Sequence, residues 1–261
     1  MPRPRKTAAL EALPAELEIP LFLQMLDPAR PKTAQVYEMM RRAIIGLELP
    51  PGAPVNEKQI CEQLGISRTP LREAILQLHA ERLVEVWPNA GTHVSAIDLQ
   101  HVMDGQIVRE ALEMKVVRLA TAKMNREIDL ALDFNLHQQR VFAAERDYDR
   151  FYELDESMHQ IICEHGSSPR VWRIVTGAKA HLDRVRRLAF PEEHHLDIVL
   201  GEHTAIIEGL KARDPDAASV AMKVHLNRVF LTIRHLLSQR SDFFAPNSLA
   251  VLDEFQRVYE A

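Results

Sequence analysis

From Thr33 the segment TAQVYEMMRRAIIGL sets Val36, Met40, Ile44 and Leu47 at three- and four-residue steps, the stripe of an amphipathic helix. LPPGAPV breaks it. EKQICEQL follows as a second helix, with Asn56 at the N-cap, Gln59 as its capping-box partner and Gly65 as the left-handed residue that ends it. Ser67 opens a third helix, RTPLREAILQLHAE, with Pro70 in its first turn, where a missing N–H does least harm. LVEVW and THVSAI are β-prone runs joined by PNAG, which reads as a two-stranded hairpin. Helix, helix, tight turn, helix, hairpin is the order of a winged helix-turn-helix, and elements, caps and spacing agree on it.

From Asp98 onward the pattern is helical only. Asp98 caps a helix reaching about Lys123, and segments 126–143, 147–165, 169–189, 193–212 and 215–239 carry the further helices. Ser168-Pro169 and Asp214-Pro215 are N-cap and first-position pairs that start two of them. The fold class is mainly α: an N-terminal winged helix-turn-helix plus a C-terminal antiparallel all-helical bundle of about six helices. The expected organisation is an extension over 1–32, the winged domain over 33–98, the helical domain over 99–239, and a tail over 240–261 holding a short helix, VLDEFQRVY.

Composition narrows this a little. Of 261 residues, 46% are hydrophobic and 26% charged, enough for two cores. No apolar run approaches the roughly 20 residues that span a bilayer. The start, with its basic Arg3, Arg5 and Lys6, lacks the apolar centre of a secretory signal, so a cytoplasmic location is expected, with no membrane partner. Cys61 and Cys163 have no paired spacing and read as buried thiols in a reducing compartment. Net charge is −5, and residues 33–98 hold six basic groups against eight acidic ones. Any affinity for nucleic acid must come from where the basic groups sit.

They sit at the start of the third helix. Arg68 and Arg72 are four apart and share a face, where either can take a guanine or clamp a phosphate. Ser67 and Thr69 can donate to phosphate at the helix start, where the dipole favours an anion. Leu71, Ile75 and Leu78 point the other way. Lys58 lies in the first turn of the preceding helix, and Gly91 with His93 stands at the hairpin tip. The bland alternative is a surface pair of Arg72 with Glu73 or Glu81.

In the second half Asp155 and His159 form D-x3-H on a helix and face the same way. His203 lies on the fifth bundle helix and His225 on the sixth. Three helices can point such groups into one cavity, and one carboxylate with three imidazoles suits Zn²⁺ or another divalent transition ion. A buried polar network is the alternative that spacing alone leaves open. His194 and His195 read as members of a polar loop.

EKQICEQLGISRTPLREAILQLHAERLVEVWPNAGTHV resembles the winged helix of GntR-family bacterial regulators, through a block of the form LGxSRTPxREAL. The second half resembles the FCD type of effector domain, and together the likeness covers residues 33–238. It implies that Lys58, Arg68, Thr69, Arg72 and Gly91 contact operator DNA. It implies a metal at Asp155, His159, His203 and His225, with zinc the first choice and nickel or manganese open. VREALEMKVVRLA resembles the family's R-x3-E segment, which makes Arg109 the partner for a ligand carboxylate and Glu113 the residue that holds it. Arg184 and Arg187 are further ligand candidates. Arg82 departs from the family's usual Gly in the turn before the hairpin, and Ser168 stands where Asn is common.

The expected function is a homodimeric DNA-binding regulator on a pseudo-palindromic operator, a repressor released by a small carboxylate or sugar acid bound at the metal site, and not an enzyme. A metal-responsive regulator uses the same residues. A metalloenzyme carrying a DNA-binding domain is the more distant alternative, with no general base evident beside the site.

Overall fold

The computed structural model describes residues 25–259 apart from residue 193. The basic arm and most of LEIPLFLQML lie outside the described residues. The chain divides into two compact units: described residues 25–97 with 240–245, and 98–239 with 246–259.

In the first unit α1 (Lys32–Ile45), α2 (Glu57–Leu64) and α3 (Arg68–Ala80) pack beside a small sheet. Val36, Met40 and Ile44 are fully buried as the stripe requires. Leu47 leaves it, because the chain turns at that residue with φ +64°. Asn56 Oδ1 accepts from Gln59 N at 3.1 Å, and Gly65 closes α2 in the left-handed region. Ser67 occupies the N-cap of α3 in extended backbone, but its hydroxyl makes no capping bond. Leu71, Ile75 and Leu78 are buried.

The hairpin is β2 (Val84–Trp87) against β3 (Gly91–Val94), in register Val84↔Val94 and Trp87↔Gly91. A third strand, β1 (Pro54–Val55), pairs antiparallel with the other edge of β3, so the sheet order is β1-β3-β2. Two residues inside LPPGAPV carry no period to read, so the sequence pattern shows only a break there. Residues 240–245, expected as tail, group with this unit. The 3₁₀ turn Ser241–Phe243 leads to Phe244, whose flanking groups clasp Ile97: Ile97 N donates to Phe243 O at 2.8 Å and Ala245 N to Ile97 O at 2.9 Å. Ile97 and Phe244 are both buried.

The second unit is all helical: α4 (Leu99–Lys123), α5 (Arg126–Glu145), α6 (Tyr148–Gly166), α7 (Pro169–Ala178), α8 (Ala180–Ala189), α9 (His195–Lys211), α10 (Pro215–Gln239) and α11 (Ser248–Tyr259). Helix α4 packs against α6, α7, α8, α9, α10 and α11. It buries a polar line, Gln106, Arg109 and Glu113, among its apolar residues. Val117, Leu132, Met158, Ile162, Ile206 and Leu226 belong to the main apolar core.

The segment expected as one helix over 169–189 is two, broken at Lys179. The break lies against Gly105 of α4, where a Cβ would come 2.6 Å from Ala178 O, so only glycine admits this approach. Lys179 is buried at the break and donates to Glu156 at 2.6 Å and Asp183 at 2.7 Å.

Arg82 has φ +61°, which accounts for glycine being the family's habit at this turn. A non-glycine residue there carries about 1–2 kcal/mol of steric cost, of which glycine's greater freedom in the unfolded chain returns about 0.5–1 kcal/mol. Arg82→Gly is therefore expected to stabilise the first unit by about 0.5–1 kcal/mol, read as a raised denaturant midpoint with an unchanged slope. A lowered midpoint would show that the Arg82 side chain contributes more than its backbone costs.

Candidate functional site

Helix α3 presents Ser67, Arg68, Thr69 and Arg72 on its exposed side, and Lys58 of α2 is exposed beside its i+4 neighbour Glu62 at 3.7 Å. The carboxylates that might have claimed Arg72 are engaged elsewhere. Glu81 takes Arg41 at 2.8 Å and also Tyr37, while Glu73 accepts from Thr33 at 2.7 Å. Neither Glu73 nor Glu81 is thus paired with Arg72. Gly91 sits at the hairpin with φ +85°, and His93 stacks on Trp87 with ring centroids 4.8 Å apart.

The second constellation lies inside the helical unit. Asp155 and His159 of α6, His203 of α9 and His225 of α10 are all buried, and one donor atom from each falls within 4.8 Å of the others. Each imidazole has an oxygen close to Nδ1, hydrogen-bonded at His203 and His225 but not at His159. His159 Nδ1 is 2.5 Å from Glu113 Oε2, His203 Nδ1 is 2.6 Å from Gln139 Oε1, and His225 Nδ1 is 3.2 Å from Glu202 Oε2. The acceptors at Nδ1 of His203 and His225 assign the proton there, and Arg109, which can only donate, makes His159 Nε2 an acceptor, so each Nε2 is left as a lone pair. Those lone pairs converge: His159 Nε2 and His225 Nε2 are 3.1 Å apart, and His203 Nε2 is 3.2 Å from Asp155 Oδ1. Neither His203 Nε2 nor Asp155 Oδ1 has a hydrogen-bond partner.

Electrostatics keeps the donors in this state. Burial pushes His203 below its ordinary pKa, and pushes His225 further down with the help of the neighbouring His203 and His159, so both stay neutral. Burial alone would raise Asp155. Arg186, His203 and His159 outweigh it and hold the carboxylate well below its usual range. Glu113 behaves likewise, with Arg109 and His159 overcoming its burial. A carboxylate oxygen and three imidazole nitrogens facing one point, two of the four atoms without partners, match the donor set of a divalent ion, and the residues present fit one.

A small pocket, about 30 Å³ in volume, opens beside the cluster, walled by Asp155 and His225 but not by His159 or His203. Arg109, Arg186 and Arg228 line it, with Phe190, Val199 and Val229 on the apolar side. Arg109 donates to Glu113 at 2.6 Å and reaches His159 Nε2 at 3.2 Å. Arg184 and Arg187 do not reach the pocket. Arg184 is buried elsewhere, its pKa pushed down to about 9 by that burial, and Arg187 lies 4.1 Å over the Tyr152 ring and pairs with Asp149. Arg186, between them, takes the pocket position and ties Asp155 to Glu156 and Asp183. His195 belongs to α9 rather than a loop. It is buried in the pocket wall, where burial and then Arg228 and Arg186 push it down to about 4. Gln139, Glu202, Arg186 and Arg228 were missed from the sequence. Glu202 beside His203 and Arg228 one turn after His225 were the available signals.

Residues 32–94 match the family described as bacterial regulatory proteins, gntR family, and residues 106–228 match the FCD domain. The chain is 32% identical to the HTH-type transcriptional repressor RspR of Escherichia coli K12, over 84% of this chain and 96% of that protein. It is 33% identical to an HTH-type transcriptional regulator in an unstable DNA locus of Streptomyces ambofaciens, over 85% and 93%. The solved structure of E. coli McbR/YncC shares the fold, with a TM-score of 0.69 at 20% identity over 80% of this chain and 99% of that one. No helix among the described residues is long and apolar enough to cross a membrane. With a winged helix at one end and a helical FCD domain after it, the chain belongs to the GntR family of bacterial regulatory proteins.

Proposed function

We propose that the chain is a ligand-responsive transcriptional repressor that holds a divalent ion, zinc by preference, at Asp155, His159, His203 and His225. The observation that carries this reading is the buried cluster itself. Asp155 Oδ1 and His203 Nε2 lack hydrogen-bond partners at a depth where that costs about 1–3 kcal/mol each unless something fills the gap. RspR, at 32% identity, bears the name of a repressor, which supports that sign of action.

When bound, the ion supplies a Lewis-acid seat for a carboxylate or hydroxyl of the effector. The chain's residues do the rest. Asp155 and His225 face the pocket, so a ligand there sits against the centre. Arg109 occupies the His159 lone pair through Nη2. Were an ion to take that lone pair, the guanidinium would be left to the pocket it already lines, where its planar fork suits a small organic acid. In the first unit, Arg68 and Arg72 read base edges or clamp phosphate, Ser67 and Thr69 hold phosphate at the helix start, and Lys58, Gly91 and His93 contact the flanking backbone and groove. The chain works as a homodimer in the cytoplasm, two recognition helices meeting two half-sites of a pseudo-palindrome. Ligand shifts the balance between two arrangements of the heads through unequal affinity for them.

The test is binding of the purified protein to its own promoter at physiological salt, with and without a chelator and a panel of small carboxylates. Tight, competitor-resistant binding relieved by one acid is the expected result. An absence of specific binding under every condition would remove the regulator reading. Arg68→Ala is expected to weaken operator binding about 10- to 100-fold, the worth of one good base contact at about 1–3 kcal/mol, and wild-type affinity would take α3 out of the interface. His203→Ala is expected to lose the stoichiometric ion in elemental analysis while keeping its helical circular dichroism. Full metal content in that variant would sink the assigned centre.

A further inference from the structure

We propose that Glu202 is a positioning residue for the metal centre and that Arg228 governs its strength, so that a carboxylate arriving at Arg228 tightens the hold on the ion. This rests on the metal reading above.

The three Nδ1 acceptors are not equivalent. Gln139 is neutral and locked: its Nε2 donates to Asn135 Oδ1 at 2.7 Å, and Asn135 Nδ2 donates to Leu154 O at 3.0 Å. Glu113 is shared with Arg109, a pair whose side chains are 3% and 1% exposed. Glu202 is split between two partners, with Oε2 on His225 and Oε1 on Arg228. Arg228 is 24% exposed, against 3% for Arg109 and 10% for Arg186, the other two arginines of the pocket. It is therefore the guanidinium an incoming anion meets with least disruption. Its Nε and Nη2 converge on the single oxygen Glu202 Oε1 instead of spreading over the carboxylate as a fork, so a ligand carboxylate offers it a better-matched partner.

The chemical consequence runs along the chain Arg228, Glu202, His225. An acceptor at Nδ1 raises the donor strength of Nε2, the more so the more negative the acceptor. With Arg228 on Oε1, part of the Glu202 charge is spent on the guanidinium. When a ligand takes Arg228, Glu202 acts on His225 with its full charge and the Nε2 lone pair becomes a stronger ligand. Linkage makes the effect reciprocal, so a filled centre also favours the bound acid.

The test is a zinc titration of the metal-stripped full-length protein against a chromophoric chelator at constant ionic strength. Glu202→Gln is expected to weaken zinc about 10- to 100-fold. Arg228→Gln is expected to tighten it, and that effect is expected to vanish in the Glu202→Gln background. Replacing chloride by acetate, the simplest carboxylate probe, is expected to tighten zinc in the wild type more than in Arg228→Gln. Weakening by both single variants would mark the pair as merely structural and overturn the proposal, as would an unchanged Glu202→Gln. Additive effects in the double variant would make Arg228 act on the ion directly and also overturn it. Should Glu202→Gln lose its helical circular dichroism, Arg228→Gln and the acetate comparison decide. A wild-type chain that takes up no zinc overturns the metal reading, and the relay falls with it, whereas a zinc-binding wild type with indifferent variants overturns the relay alone.

Discussion

A carboxylate buried as deeply as Asp155 survives in ionised form only if a cation stands against it, and much of the helical unit follows from that requirement. Arg186 meets it, and Arg186 is itself buried, so it draws in Glu156 and Asp183, which in turn hold Lys179. Isolated buried charges cost several kcal/mol each, so such a network persists only when every member is paired. The break between α7 and α8 sits at Lys179, against the one α4 position without a side chain. The charge of Asp155 and the path of two helices are in this sense a single problem.

The same economy shapes the imidazoles. Histidines in a dry interior need their N–H groups satisfied, and Gln139 from α5 and Glu202 from α9 accept from His203 and His225, while Glu113 from α4 stands 2.5 Å from His159. Satisfying the N–H side turns the lone-pair side inward, where the atoms repel one another unless something positive lies between them. The buried Arg109–Glu113 pair of α4 belongs to the same arrangement.

What could be read beforehand divides along physical lines. The stripe of Val36, Met40 and Ile44, the Asn56 cap, the Gly65 stop and the hairpin repeat every few residues or obey local backbone rules, so they are legible in the chain. Asp155 and His159 are legible because four residues on a helix return to one face. Arg186 was not, because 169–189 read as one helix, and the break at Lys179 resets the angular phase of everything after it. Gln139 and Glu202 are polar residues on helices rich in polar residues, and no periodicity tells which of them turns inward. The acidic excess of residues 33–98 is unchanged by the pairing of Glu81 with Arg41, but that pairing keeps Glu81 off Arg72, which no sequence pattern shows.

The clasp of residues 240–245 on Ile97 gives the first unit an unusual timetable. Its last segment is made almost a full chain length after its first, so a ribosome that has released the three helices and the hairpin has not yet released Phe244. Until then the backbone groups of Ile97 must be satisfied by water, and a buried apolar side chain lacks its cover. A contact spanning so much sequence is slow to form and late to be rewarded. The first unit is thus completed only after α4 to α10 have been synthesised, which ties its maturation to an intact chain as far as residue 245.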